Sequence, residues 1–240
     1  MRVALALAAA ALLAGCTSVP AAAPGPQRLE LVDVARQRPV PLLLYGRPGP
    51  DRPLAIVSHG YGGEPGEYSF IAEALAARGY VVAAIDHELP GDPPIASDGN
   101  LYERRMPNWR TGAQSIAFAI SELRARRLAD PRARVAVIGH SNGGDMAMLF
   151  ASEHPELVGA AISLDNRRFP LPRTSSPRIC SIRSADQPAD PGVLPGDEEA
   201  RALGMQIGRV TGLIHNDMWD GATPERRAAM LELILRCLAR

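Results

Sequence analysis

The sequence predicts an α/β fold in one domain: a central, mostly parallel sheet of about eight strands with helices on both faces. Three observations carry this expectation. Strand-like and helix-like segments alternate from residue 28 to the end. The 240 residues, 46% apolar and 22% charged, suit one core of ordinary size, and no repeat or second domain interrupts the alternation. Three connections, 86–110, 165–177 and 184–200, exceed ordinary lengths. Each follows a predicted strand, which puts it over the carboxyl edge of the sheet, where ligands bind in such folds.

The elements follow in order. Arg28–Ala35 and Val40–Tyr45 read as a pair of opening strands, closed by a Gly-Arg-Pro-Gly-Pro turn. Leu54–Ser58 is a short apolar strand, Glu67–Arg78 a helix and Tyr80–Ile85 a strand. Thr111–Leu128 carries small and apolar residues at helical spacing. Val135–Ile138, the Asn142–Glu153 helix and Val158–Leu164 continue the alternation, and Arg178–Arg183 and Gly208–Leu213 are the last strands. Thr223-Pro224 opens a terminal helix, since threonine caps an N-terminus and proline fits the first turn.

The first residues stand outside this pattern. Met1-Arg2 is a short positive region, and Val3–Leu13 is an apolar stretch too short to span a bilayer. Leu13-Ala14-Gly15-Cys16 resembles the lipobox of bacterial lipoproteins. That resemblance implies a signal peptide over 1–15, lipidation of Cys16 and a flexible tether over 16–27, leaving 28–240 as the domain. Thr17 resembles the residue that follows the cysteine in lipoproteins sent to the outer membrane, so the domain is expected in the periplasm. An ordinary secretory signal with an incidental cysteine is the alternative. Cys180 and Cys237 then either pair, as an oxidising compartment permits, or are buried apolar thiols.

Composition excludes several chemistries. The 26 basic residues are all arginine, which removes Schiff-base, P-loop and Ser-Lys mechanisms. Zero net charge without a basic cluster gives no footprint for nucleic acid. No spacing suits a metal, so neither metal nor cofactor is expected.

The chemistry centres on Gly139-His140-Ser141-Asn142-Gly143, which joins the Val135–Ile138 strand to the following helix. A serine on that sharp turn is held in a strained backbone with its hydroxyl exposed above the sheet, and flanking glycines let the turn close. Such a serine needs a base. His215, just past the last strand, is the expected one; His87 is a rival, whereas His140 belongs to the turn and His154 sits at a helix end. A third group must orient the imidazole. Asp186, after the Arg178–Arg183 strand, is the expected acid, with Asp165 and Asp190 as alternatives. The oxyanion donors are expected to be the backbone N–H groups of Asn142 and of Tyr61 in His59-Gly60-Tyr61-Gly62-Gly63.

With these motifs in order the chain resembles the α/β-hydrolase superfamily. His59–Gly63, Glu67-Tyr68-Ser69 and Ala76–His87 are similar to the platelet-activating-factor acetylhydrolase-like and dienelactone-hydrolase-like branches. The latter commonly use a cysteine nucleophile, against which Ser141 argues. The resemblance implies an α/β-hydrolase fold without a large cap, and a serine hydrolase with Ser141, Asp186 and His215 as its triad. It would cleave a small or short-chain ester through an acyl-enzyme, as a monomer touching the membrane only through its lipid. An amidase or peptidase on the same fold, or a silent binding lipoprotein, are the alternatives. Tyr61, Tyr102, Met106, Trp109 and Trp219 either line an apolar pocket or pack, and Arg104, Arg105 and Arg110 either bind a substrate anion or are solvated. Asp145, Asp217 and Asp220 read as capping or dipole-favoured carboxylates.

Overall fold

Short runs of β-branched and small apolar residues build the sheet, because strands covered on both faces need no polar alternation. The computed structural model describes residues 25–239. The expected signal peptide, Cys16 and most of the tether lie outside the described residues. The strands are β1 Gln27–Asp33, β2 Arg38–Tyr45, β3 Leu54–Ser58, β4 Val81–Ile85, β5 Val135–His140, β6 Val158–Leu164, β7 Arg178–Arg183 and β8 Gln206–Arg209. The helices are α1 Ser69–Ala76, α2 Leu101–Ala125, α3 Ser141–Glu153, α4 Asp197–Ala202 and α5 Pro224–Leu238.

The strands form one eight-stranded sheet in the order β1-β2-β4-β3-β5-β6-β7-β8. β1–β2 and β2–β4 pair antiparallel and all later pairs are parallel. Alternate strand residues feed two cores. Ile56, Val137 and Ala161 face Trp109, Ile116 and Ile120 of α2 and Met146 and Phe150 of α3. Val57, Ile138 and Ile162 face Ile71 and Leu75 of α1 and Met230 and Ile234 of α5. β3 and β5 are buried at every residue, which fixes the rigid centre from which the site projects.

Three elements differ from expectation, the first being α4, which begins inside the stretch read as the 184–200 connection. α2 begins at Leu101, so the second half of the 86–110 connection is helical. Asn100 caps it, its side chain accepting from Glu103 N–H at 3.4 Å. Pro107 inside the helix forfeits one backbone hydrogen bond, but Trp109, fully buried, holds that stretch against the core. β8 spans 206–209 rather than 208–213. Residues 210–213 turn instead, with Gly212 at φ +68° and Leu213 N–H bonded to Val210 C=O at 3.2 Å, and this turn delivers the chain to His215. α5 starts as expected, on a Thr223 side chain that accepts from Arg226 N–H. Of the two readings left open for the cysteines, the structure has Cys180 of β7 disulfide-bonded to Cys237 of α5, with a Cα–Cα distance of 6.4 Å.

Candidate active site

The turn between β5 and α3 concentrates backbone strain at one residue. Ser141 has φ +51°, a left-handed conformation unfavourable for a side chain. The turn closes because its neighbours carry no Cβ: one on Gly139 would stand 2.2 Å from Gly143 C=O, and one on Gly143 2.3 Å from His59 C=O. Gly60 is confined likewise, since a Cβ there would sit 2.9 Å from His140 Nδ1 and 3.5 Å from Ser141 Cβ. The glycines therefore bring the β3 loop, the serine turn and the N-terminus of α3 into direct contact.

His215, in a single 3-10 turn over residues 215–217, reaches the serine. Its Nε2 lies 2.9 Å from Ser141 Oγ and its Nδ1 2.7 Å from Asp165 Oδ2. The acid position therefore corrects the expectation. Asp186 does not touch the imidazole; its Oδ1 accepts the backbone N–H of His215 at 2.7 Å. Asp165 directly follows β6, the strand paired with β5, and its own φ of +58° belongs to a tight turn at the sheet edge. Asp190, the other alternative, lies 3.9 Å from Arg168 Nε. Asp165 is fully buried, with Oδ1 accepting Ser184 N–H at 3.1 Å and facing Arg183 Nη2 at 2.9 Å. Burial, the largest influence, pushes its carboxyl up, but His215, Arg183 and Ser184 together hold it below the usual range. In the sequence both Asp165 and Asp186 simply follow predicted strands, which does not rank one above the other.

The other histidines are structural partners. His140 Nε2 donates to His215 C=O at 3.1 Å, while Nδ1 accepts from Tyr68 Oη at 2.8 Å. Tyr68 Oη in turn accepts Gly60 N–H at 3.1 Å. One chain of hydrogen bonds thus ties the β3 loop, the serine turn and the His215 loop together. Burial drives the His140 pKa down to about 3, with repulsion from His215 adding to it, so its ring is neutral. His87, the rival base, bonds Ser58 Oγ at 2.9 Å, away from Ser141, and burial lowers it to about 3 as well.

Of the expected oxyanion donors, Asn142 directly follows Ser141 and Tyr61 lies in the β3 loop, whose Gly60 approaches the serine. In the β3 loop Gly60 N–H is held by Tyr68, Gly62 N–H by Glu88 and Gly63 N–H by Gly60 C=O, leaving that of Tyr61 without a partner among the described residues. Gly62 at φ +78° supplies the turn. Asn142, the first residue after the serine, has its side chain locked by Trp109 Nε1 at 2.8 Å and by Asn108 Oδ1 at 2.8 Å.

The remaining candidates separate cleanly. Trp109 is core, whereas Tyr61, Tyr102 and Trp219 are exposed and Met106 packs partly buried on the α2 side. Arg104 pairs with Asp98, and Arg105 Nε donates to Ala96 C=O at 2.8 Å. Asp220 accepts Ser69 and Phe70 N–H at 2.9 Å and so caps α1, and Asp217 pairs with Arg226. Asp145 is more than a cap: fully enclosed, it holds the 166–169 turn through Phe169, Arg168 and Asn166, and burial raises its pKa to about 6. No group of three or more metal-binding side chains occurs among the described residues.

A strained serine on a strand-to-helix turn, a histidine against it and a buried acid behind, all at one edge of this eight-stranded sheet, define the α/β-hydrolase class. Within it the chain belongs to the family described as "Serine aminopeptidase, S33", whose pattern matches residues 49–172. It is 29% identical to platelet-activating factor acetylhydrolase of Cavia porcellus, over 51% of this chain and 37% of that protein. It is also 29% identical to the cutinase est1 of Thermobifida alba, over 43% of this chain and 32% of that one. The chain thus spans about a third of the length of these relatives. An esterase structure from Pyrobaculum calidifontis superposes with a TM-score of 0.64 at 15% identity, covering 87% of this chain and 82% of that one, and so shares the fold.

Proposed function

We propose that the chain is a serine hydrolase that cleaves small carboxylic esters through an acyl-enzyme. The carrying observation is the unbroken line from Ser141 Oγ through the His215 ring to Asp165, at 2.9 and 2.7 Å. Ser141 attacks the ester carbonyl as His215 Nε2 takes its proton, and Asp165 stabilises the imidazolium. The oxyanion is held by the N–H groups of Tyr61 and Asn142, each such donor being worth about 3 kcal/mol. His215 then protonates the departing alcohol, and a water, activated by the same ring, releases the acid. Tyr61, in the β3 loop, and Ile214, next to His215, are exposed apolar side chains close in the chain to these groups, which suits an uncharged ester. Relatives named as an acetylhydrolase and a cutinase support ester substrates.

The test is hydrolysis of p-nitrophenyl esters from acetyl to decanoyl by the 28–240 domain and by Ser141→Ala. Turnover in the parent should fall at least about 10⁴-fold in the variant, with fluorophosphonate labelling confined to Ser141. A folded domain that neither turns over nor labels would leave a binding role. The family description favours a second reading, an aminopeptidase; aminoacyl p-nitroanilides cleaved faster than esters would establish it instead.

A further inference from the structure

Behind the triad lies a charge that ester hydrolysis as derived above does not use. Arg183, the last residue of β7, has 2% of its side chain exposed, and its Nη2 lies 2.9 Å from Asp165 Oδ1. Arginine is almost never this buried without a paired anion. Its Nη1 is anchored on Asn166 C=O at 2.7 Å and, more loosely, on Ser181 Oγ at 3.4 Å. The guanidinium is therefore fixed by the turn that carries Asp165. Nη2 forms no aligned hydrogen bond with that carboxylate, so the contact acts through charge.

The consequence follows from enclosure. Asp165 is fully buried and its other oxygen is committed to His215. Without Arg183, a carboxylate in that position, opposite a neutral imidazole, would be an uncompensated charge in a low-dielectric interior, and such a group takes up a proton readily. His215 can accept the Ser141 proton only while its ring is neutral beside the Asp165 carboxylate, so a further proton bound at rest removes the base.

We infer that Arg183 is a positioning residue that supplies the missing charge, keeping the Asp165–His215 pair free of that proton and so extending activity toward acid pH. The inference rests on the reading of Ser141, His215 and Asp165 as the reacting set. Other charges also face the pair. The carboxylate of Asp186 lies on His215 N–H, Arg209 lies 3.4 Å from Ser184 C=O, and Asp145 holds Asn166 from α3. The neutral His140 ring stands 4.8 Å from that of His215, centroid to centroid. All of these remain when Arg183 alone is changed, so they cancel in the comparison.

The experiment is the pH profile of kcat/KM for p-nitrophenyl acetate in the parent domain, Arg183→Met and Arg183→Lys, with circular dichroism at each pH. Loss of the positive charge should move the acidic limb upward by about one pH unit, while the lysine variant, which retains charge, should stay near the parent. A folded methionine variant whose limb does not move overturns the inference, even if its kcat is lower. So do equal shifts in both variants. A chain that folds with lysine, but with neither methionine nor glutamine at 183, makes the residue a structural ion and also overturns it. A parent with no turnover and no fluorophosphonate labelling points instead to failure of the underlying hydrolase reading.

Discussion

At the scale of single residues, two aspartates touch one histidine and do different work. Asp165 bonds the ring and sets which nitrogen carries the proton, whereas Asp186 bonds the main chain and sets where the loop sits. Asp165→Asn should therefore lower kcat about 10⁴-fold, because the amide presents a donor where the ring needs an acceptor. Asp186→Asn keeps an oxygen for the His215 N–H and should cost less than about tenfold; steady-state kinetics on one ester separates the two. The sequence could place Ser141 and His215, since a strand-to-helix serine and a late histidine each have few competitors. It could not rank Asp165 above Asp186, because both follow strands and both lie between the serine and the histidine. The decision is made by sheet order, with β6 beside β5 and β7 one strand further, and by a left-handed backbone at Asp165. Neither is written in residue type. The role of Arg183 was hidden for the same reason, since nothing in Ser-Ile-Arg-Ser marks that arginine as pointing inward.

At the scale of elements, the site depends on how closely α3 docks against β3. The limiting contact is Gly143, where a Cβ would meet His59 C=O at 2.3 Å and Ser58 C=O at 2.5 Å, both backbone atoms that cannot step aside. Gly143→Ala should lose about 3 kcal/mol or more of stability and, in whatever folds, most of the activity, as the N-terminus of α3 is pushed off the sheet. Gly66→Ala, with only Leu43 Cδ1 at 3.6 Å, should stay within about 0.5 kcal/mol. Urea unfolding of the two variants tests the contrast. Elements carried by hydrophobic pattern alone were legible: β3, β6, β7 and the start of α5 lie where periodicity and capping put them. The start of α2 was not, because Pro107 and the polar residues around it read as a connection. What makes that stretch helical is burial of Trp109 and the Asn100 cap, and the first of these is a tertiary fact.

At the scale of the whole molecule, the buried titrating groups fix how stability responds to pH. His87 and His140 are held neutral with pKa values of about 3 and 3, below the ordinary 6.5 of the unfolded chain. Between those values the unfolded state binds more protons, so their contribution is intact above pH 6.5 and is lost as pH falls toward 3. Asp145, raised to about 6 from 3.8, works in the opposite sense over the narrower span between those values. Two histidines outweigh one aspartate, and the melting temperature should fall progressively between about pH 6 and pH 4; calorimetry across that range checks it, and a flat profile would contradict the neutral buried rings. The Cys180–Cys237 disulfide joins β7 to α5 across 57 residues, a closure that chain entropy values at about 4 kcal/mol. It has a further consequence for a chain that has been cut. The bridged segment contains Asp186 and His215, so a protease that nicks the exposed part of the connection, 185–192, produces two pieces that cannot part. The fragment bearing His215 stays covalently yoked to the fragment bearing Ser141, and damage at the surface need not dismantle the site they share.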